Sequence, residues 1–262
     1  SFKDLVSKCN NNGTACPSKY NVPIGCWDTS KVTDMTFAFF ATAFDNSINC
    51  WNVASVTSMK GMFRDATAFN QPINDWNVAS VNDMTQMFYK ATNFNQPLDD
   101  WNMASVTDMY KMFQEATYFN QPLNGWNLTS VNNMASMFTT ATNFNQPLND
   151  WNVANVSEMR SMFNGASNFN QPLGDWDVAS VNDMSFMFIR ATNFNQSLDD
   201  WNVASVKNMK YMFRSAINFN QLVGDWDVAS VTSMKRMFAG SFSDTTTFNQ
   251  SLNDWNVSSV TD

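Results

Sequence analysis

Apolar side chains fall in a fixed order along most of the chain, and the order returns about every twenty-five residues. The stretch Trp76 to Asp100, WNVASVNDMTQMFYKATNFNQPLDD, is one period. Trp76 and Val78 alternate with Asn77 and Ala79, as a short extended segment does. Ser80 and Asp83 stand three apart like a capping box with Asp in place of Glu, and Ser105/Asp108, Ser180/Asp183 and Asn155/Glu158 repeat the pattern. Val81, Met84, Met87, Phe88 and Ala91 then recur at spacings of three and four, the apolar stripe of a helix of about three turns. Pro97, within Phe94-Asn95-Gln96-Pro97-Leu98, permits only a short strand or an extended corner after it. The pattern predicts an α/β unit, one short strand or corner plus one short helix.

A single unit of this size buries too little apolar surface to offset its chain entropy. Stacked units bury one another, which is how a solenoid is stabilised. The chain has 262 residues and 44% hydrophobic content, read here as one elongated body. Trp27, Trp51, Trp76, Trp101, Trp126, Trp151, Trp176, Trp201, Trp226 and Trp255 mark about nine to ten coils over residues 27–262. The first interval is one residue short, after Phe39; the last is four longer, predicting a bulged loop within Ala239–Thr247. Asp262 falls just inside another unit, so the repeat is expected to continue or to be capped beyond it. No apolar run reaches the length of a membrane span. No apolar leader follows Ser1, so a signal peptide is expected to have been removed or to lie outside the sequence.

Residues 1–26 do not repeat and read as a cysteine-rich N-terminal cap. Cys26 and Cys50 each precede a tryptophan, one coil apart. Stacked strands lie about 5 Å apart, within the Cα range of about 4.4–6.8 Å that a disulfide spans. The expected pairs are therefore Cys26–Cys50 and Cys9–Cys16, which imply an oxidising, extracellular setting. With no histidine and no close Cys-x-x-Cys, the cysteines do not read as a zinc site.

The remaining columns sort by chemistry. Met59, Met84, Met109 and their successors, with Met62, Met87, Met112 and theirs, read as core rather than as thioether metal ligands. Asn70, Asn95, Asn120, Asn145, Asn170, Asn195, Asn220 and Asn249 read as an internal amide ladder serving backbone groups of the next coil. Asp75, Asp100, Asp150, Asp175, Asp200 and Asp225 stand immediately before tryptophans, a solvated acidic edge or a calcium site. Lys60, Arg64, Lys90, Lys111, Arg160, Arg190, Lys210, Arg214, Lys235 and Arg236 collect on the outward face of the expected helices, with Tyr89, Tyr110, Phe186, Ile189 and Tyr211; the coils differ most there. Asn12, Asn127 and Asn256 are candidate glycosylation sites; Asn155 is a sequon at an expected cap. The threonine column Thr67, Thr92, Thr117, Thr142 and Thr192 raises ice binding, but Ser167 and Ile217 interrupt it. The net charge of −8 argues against nucleic acid as a partner.

The recurring Phe-Asn-Gln-Pro-Leu, Trp-Asn-Val, Val-Thr-Asp-Met and Met-Phe elements resemble the repeat of BspA-like leucine-rich-repeat surface proteins, also found in mycoplasma-type surface lipoproteins and in algal proteins. The resemblance covers Trp27 to Asp262, although phenylalanine and methionine replace most leucines. It implies a leucine-rich-repeat-like solenoid displayed at a surface, with roles in adhesion or macromolecular binding. Together with the absent nucleophile–base pairs, the expectation is a non-enzymatic extracellular scaffold without a cofactor. Its partners would be a protein or glycan at a cell surface or matrix, or a second copy of itself. The alternatives are a calcium- or glycan-binding module, a glycosidase using Asp99/Asp100 or Asp199/Asp200, and an ice-binding protein.

Overall fold

The computed structural model describes residues 1–10, 22–240 and 246–262. Single parallel bridges join Asp34, Ser58, Asp83, Asp108, Asn133, Glu158, Asp183, Asn208 and Ser233 in succession. Like residues therefore lie over like residues along a stack of coils.

Tight turns fold each coil. In the period from Trp76 to Asp100, the Val81 N–H closes one turn on Val78, the Phe94 N–H a second on Ala91, and the Trp101 N–H a third on Leu98, at 2.9–3.2 Å. Between the first two lies a ribbon, residues 83–91, in which backbone hydrogen bonds alternate in direction. The N–H groups of Met84, Gln86, Phe88 and Lys90 donate to the carbonyls of Asp108, Tyr110, Met112 and Gln114 in the next coil, at 2.8–3.1 Å. The N–H groups of Met87, Tyr89 and Ala91 instead close turns on Met84, Gln86 and Phe88. The Thr85 N–H is taken by Asp83 Oδ1 at 2.9 Å. Every backbone donor from Met84 to Ala91 is thus engaged, as a segment against a dry core requires.

This ribbon replaces the expected helix, and the α/β assignment is corrected. Among the described residues of the repeats there is no α-helix, and pairing between coils is limited to single bridges. Gln86 and Lys90 have φ of 58° and 57°, and the same two positions are left-handed in coil after coil. A left-handed residue at every fourth position turns side chains inward and outward in pairs. Met84, Met87, Phe88 and Ala91 are fully buried, while Gln86, Tyr89 and Lys90 are half-exposed. Over so short a segment that alternation has the same three-and-four spacing as a helix. The capping residues are also redeployed: the Ser80, Ser105 and Ser180 hydroxyls donate to carbonyls of Ala54, Ala79 and Ala154 one coil back, at 2.7–2.8 Å. A helix would spend its donors within the segment; the ribbon spends half of them on the neighbouring coil.

The core is a set of continuous columns. Successive tryptophans from Trp126 to Trp176 stack at 6.2–6.3 Å. Phe88, Phe113, Phe138 and Phe163 stack at 5.4–5.8 Å. Each also lies on a second ring of its own coil, as Phe138 does on Phe144 at 4.0 Å. The methionine columns from Met59 to Met209 and from Met62 to Met212 are fully buried. From Trp76 on, each indole keeps its N–H satisfied across coils, as Trp151 Nε1 does by donating to Leu123 O at 2.8 Å.

At the N-terminal end α1 (Phe2–Asn10) lies on the first coil, with Phe2 edge-on to Trp27 and Trp51 and Val6 fully buried. The expected Cys26–Cys50 bridge is not formed; both are exposed free thiols. Equivalent side chains in stacked coils run parallel, as the Trp27 and Trp51 rings do at 11°, whereas a disulfide needs two Cβ vectors that converge. The Cys50 thiol turns to Asn49 Oδ1, 3.6 Å away. Cys16, the expected partner of Cys9, lies outside the described residues, as does most of the expected bulged loop. The register is recovered at Thr247, whose N–H and Oγ1 reach Ile217 O.

Candidate binding surface on the ribbon

Residue identity varies more along the ribbon than on the other sides of the coil. Four outward positions per coil, those of Thr85, Gln86, Tyr89 and Lys90, carry most of the variation. The backbone beneath them is fixed by the inter-coil ladder, so residue identity can change there without disturbing the core. Ten of the chain's 15 lysines and arginines stand at these positions, with two of its 23 acids, Asp65 and Glu115. Acids of the bridge column border them, but Asp83, Asp108 and Asp183 each accept the N–H two residues on, at 2.7–2.9 Å.

Five of these ten cations, Arg64, Lys90, Lys111, Lys210 and Arg214, pack on aromatic rings. Arg64 lies over Phe40 and Tyr89, at 5.5 and 5.0 Å from the ring centroids, and donates to Gln86 Oε1 at 2.9 Å. Lys90 and Lys111 approach Tyr89 at 5.2 and 6.0 Å, and Lys111 lies 5.0 Å from Tyr110. A second cluster places Lys210 and Arg214 over Tyr211, each at 5.3 Å, with Tyr211 stacked on Phe186. Such contacts hold long side chains close to the surface and reduce the entropy lost on binding. Lys90 also pairs with Glu115 at 3.7 Å. The Glu115 carboxylate holds the Lys90 ammonium above the ordinary lysine range. Between the clusters the face is smooth: Ala135, Ser136 and Thr139 are small and buried, and Thr139 Oγ1 donates to Ser161 O.

The other expected sites fare differently. The asparagine column is the ladder the sequence implied. Asn95 Oδ1 accepts the Asn120 N–H at 2.9 Å and Gln121 Nε2 at 3.0 Å, and the same pair of bonds recurs up to Asn249 and Gln250. Asp75, Asp100, Asp150, Asp175, Asp200 and Asp225 are all exposed at corner turns. Among the described residues no three acids or cysteines converge to hold a metal ion. Asp100 and Asp150 are instead tied to Asn74 and Asn124 one coil back. Asn127 and Asn256 are exposed and accept an N–H two residues on, from Thr129 and Ser258. Asn12 lies outside the described residues. Asn155 donates to Thr129 O across coils rather than capping a helix. Thr92 and Thr192 donate to carbonyls below them, so the threonine column is partly spent internally. The apolar gap among Phe213, Phe219, Phe238 and Phe248 is too narrow for a water molecule. Among the described residues no helix is long and apolar enough to cross a membrane. Sequence reasoning found the basic face but not the contacts between coils, in which Arg64 reaches Phe40 and Tyr89 and Lys111 reaches Tyr89.

No curated protein matches the chain. Three overlapping segments, residues 6–126, 98–201 and 171–262, match the family described as Mycoplasma protein of unknown function, DUF285. Together the matches span nearly the whole repeat array, and the chain belongs to this repeat family.

Proposed function

We propose that this protein is a non-enzymatic extracellular scaffold that acts by surface contact, through its ribbon face. The observation that carries the reading is the concentration of sequence variation, cations and aromatic rings on four outward columns above an otherwise repetitive body. A long, rigid, preorganised face suits a macromolecular partner better than a small molecule. The resemblance to BspA-like leucine-rich-repeat proteins, and the exposed sequons Asn127 and Asn256, support display outside the cell. The chemistry of the face favours an acidic partner, a protein or a glycan.

The test is a binding screen of purified protein against acidic polysaccharides and extracellular proteins. The partner found must lose affinity when Lys90→Gln and Arg190→Gln are combined, with the fold unchanged by circular dichroism. Retained affinity in the double variant refutes the assignment of the face. Turnover of any polysaccharide, abolished by Asp199→Asn, refutes the non-enzymatic reading.

A further inference from the structure

We propose that the partner of the ribbon face is the acidic corner of a second copy of this chain, laid alongside in parallel without axial offset. The inference rests on the reading of the ribbon as a contact surface and names its occupant.

Two ladders of opposite sign run along each rod. The cationic ribbon and the corner turn before each tryptophan are separated by a further turn in both chain directions, so they lie on different sides of the coil. Both ladders advance by one coil, about 4.8 Å if the bridges keep ordinary strand spacing. A matching rise alone would permit any sliding register. The charges add a longer period. Lys60 recurs as Arg160, Lys90 as Arg190, and the Asp99–Asp100 pair as Asp199–Asp200, each 100 residues or four coils on. Four coils rise roughly 19 Å.

The two ladders are also in phase. Lys90 and Asp99–Asp100 belong to one coil, and so do Arg190 and Asp199–Asp200. Lys60 shares its coil with Asp75, Arg160 with Asp175, and Lys210 with Asp225. A second copy laid alongside, corner to ribbon and level with the first, therefore brings cation to carboxylate at all five levels together. The level of Lys111, facing Gly125, and the level of Asp150, facing the small ribbon residues around Ser136, are unmatched. Opposite signs in register raise the encounter rate and fix the alignment. Because ribbon and corner are different surfaces, the contact is heterologous and propagates into an open array rather than closing as a dimer.

Sedimentation velocity on the intact chain at about 0.01 M salt, where charges reach roughly 30 Å, tests this with two variants. The ribbon variant combines Lys90→Gln, Arg160→Gln, Arg190→Gln and Lys210→Gln. The corner variant combines Asp99→Asn, Asp175→Asn, Asp199→Asn and Asp225→Asn. The wild type should form concentration-dependent oligomers that dissolve in high salt. Each variant alone should associate roughly ten- to a hundredfold more weakly, and an equimolar mixture should give a one-to-one pair that grows no further. The corner variant is decisive: its net charge moves from −8 toward zero, so general repulsion falls, yet assembly must weaken. A wild type that stays monomeric at low salt, or a corner variant that assembles better, overturns the proposal. If the monomer nonetheless binds polygalacturonate through Lys90 and Arg190, the ribbon reading survives with a glycan as occupant. If the ribbon variant changes neither assembly nor glycan binding, both readings fall.

Discussion

The Asn120 backbone N–H donates to Asn95 Oδ1, 2.9 Å away and one full coil back in the chain. That one oxygen also takes Gln121 Nε2 at 3.0 Å. The side chain of each coil thereby completes the backbone of the next: removing it strands the Asn120 N–H and leaves Gln121 Nε2 only the Asn95 carbonyl, 3.1 Å away. Asn145→Ala leaves the Asn170 N–H and Gln171 Nε2 without this acceptor, and should cost about 2 kcal/mol. Asn145→Asp keeps an acceptor, as Asp45 does naturally for Asn70 and Gln71, and should cost under about 1 kcal/mol. Denaturant unfolding, with hydrogen exchange at Asn170, reads the difference; equal losses would show that the ladder does not act through its acceptor.

Core columns predict a gradient along the rod. Phe138 is fully buried among Phe113, Phe144, Trp151 and Phe163. Phe138→Ala should destabilise by about 3–5 kcal/mol. Phe238 is only half-buried, so Phe238→Ala should cost roughly half as much. Hydrogen exchange should show the first change spreading into the coils on both sides of Phe138, because repeat arrays gain stability from neighbour contacts.

The left-handed ribbon positions predict opposite effects of glycine chemistry. Thr140 is β-branched and holds φ at 53°, a conformation costing about 1–2 kcal/mol for a residue with a Cβ. Thr140→Gly should raise the melting temperature, net of the extra freedom given to the unfolded chain. Gly61 has φ of 56°, and a Cβ there would meet the Phe37 ring at 2.1 Å. Gly61→Ala should destabilise by about 1–3 kcal/mol. Thermal melts of the two variants must move in opposite directions.

Cys26 and Cys50 are exposed thiols. A maleimide applied to the native, unreduced protein should label both, and peptide mapping should return both adducts. Recovery of a Cys26–Cys50 crosslinked peptide from freshly purified protein would contradict the arrangement described.

The acidic corners make a negative prediction of equal use. Since no three acids converge among the described residues, adding calcium or a chelator should leave the melting temperature unchanged at physiological ionic strength. A calcium-dependent rise would mean that the corner aspartates approach one another more closely than their exposed turns allow.

The sequence by itself determined the period, the stacking of like on like, the dry methionine columns and the role of the asparagines. A repeated apolar residue has no other way to leave water, and a repeated amide between apolar neighbours must find partners in the adjacent coil. It did not determine the backbone. Met84, Met87, Phe88 and Ala91 have the spacing of a helix face, and only the tertiary structure shows that left-handed turns at Gln86 and Lys90 produce that spacing. The choice depends on where the backbone donors go, and those partners lie about twenty-five residues away, in the neighbouring coil. The cysteines were misread for a related reason: adjacency between coils follows from the period, but side-chain direction does not. The cation–aromatic contacts between coils likewise came into being only when the coils stacked, because Arg64 and Tyr89 are neighbours in space and not in sequence.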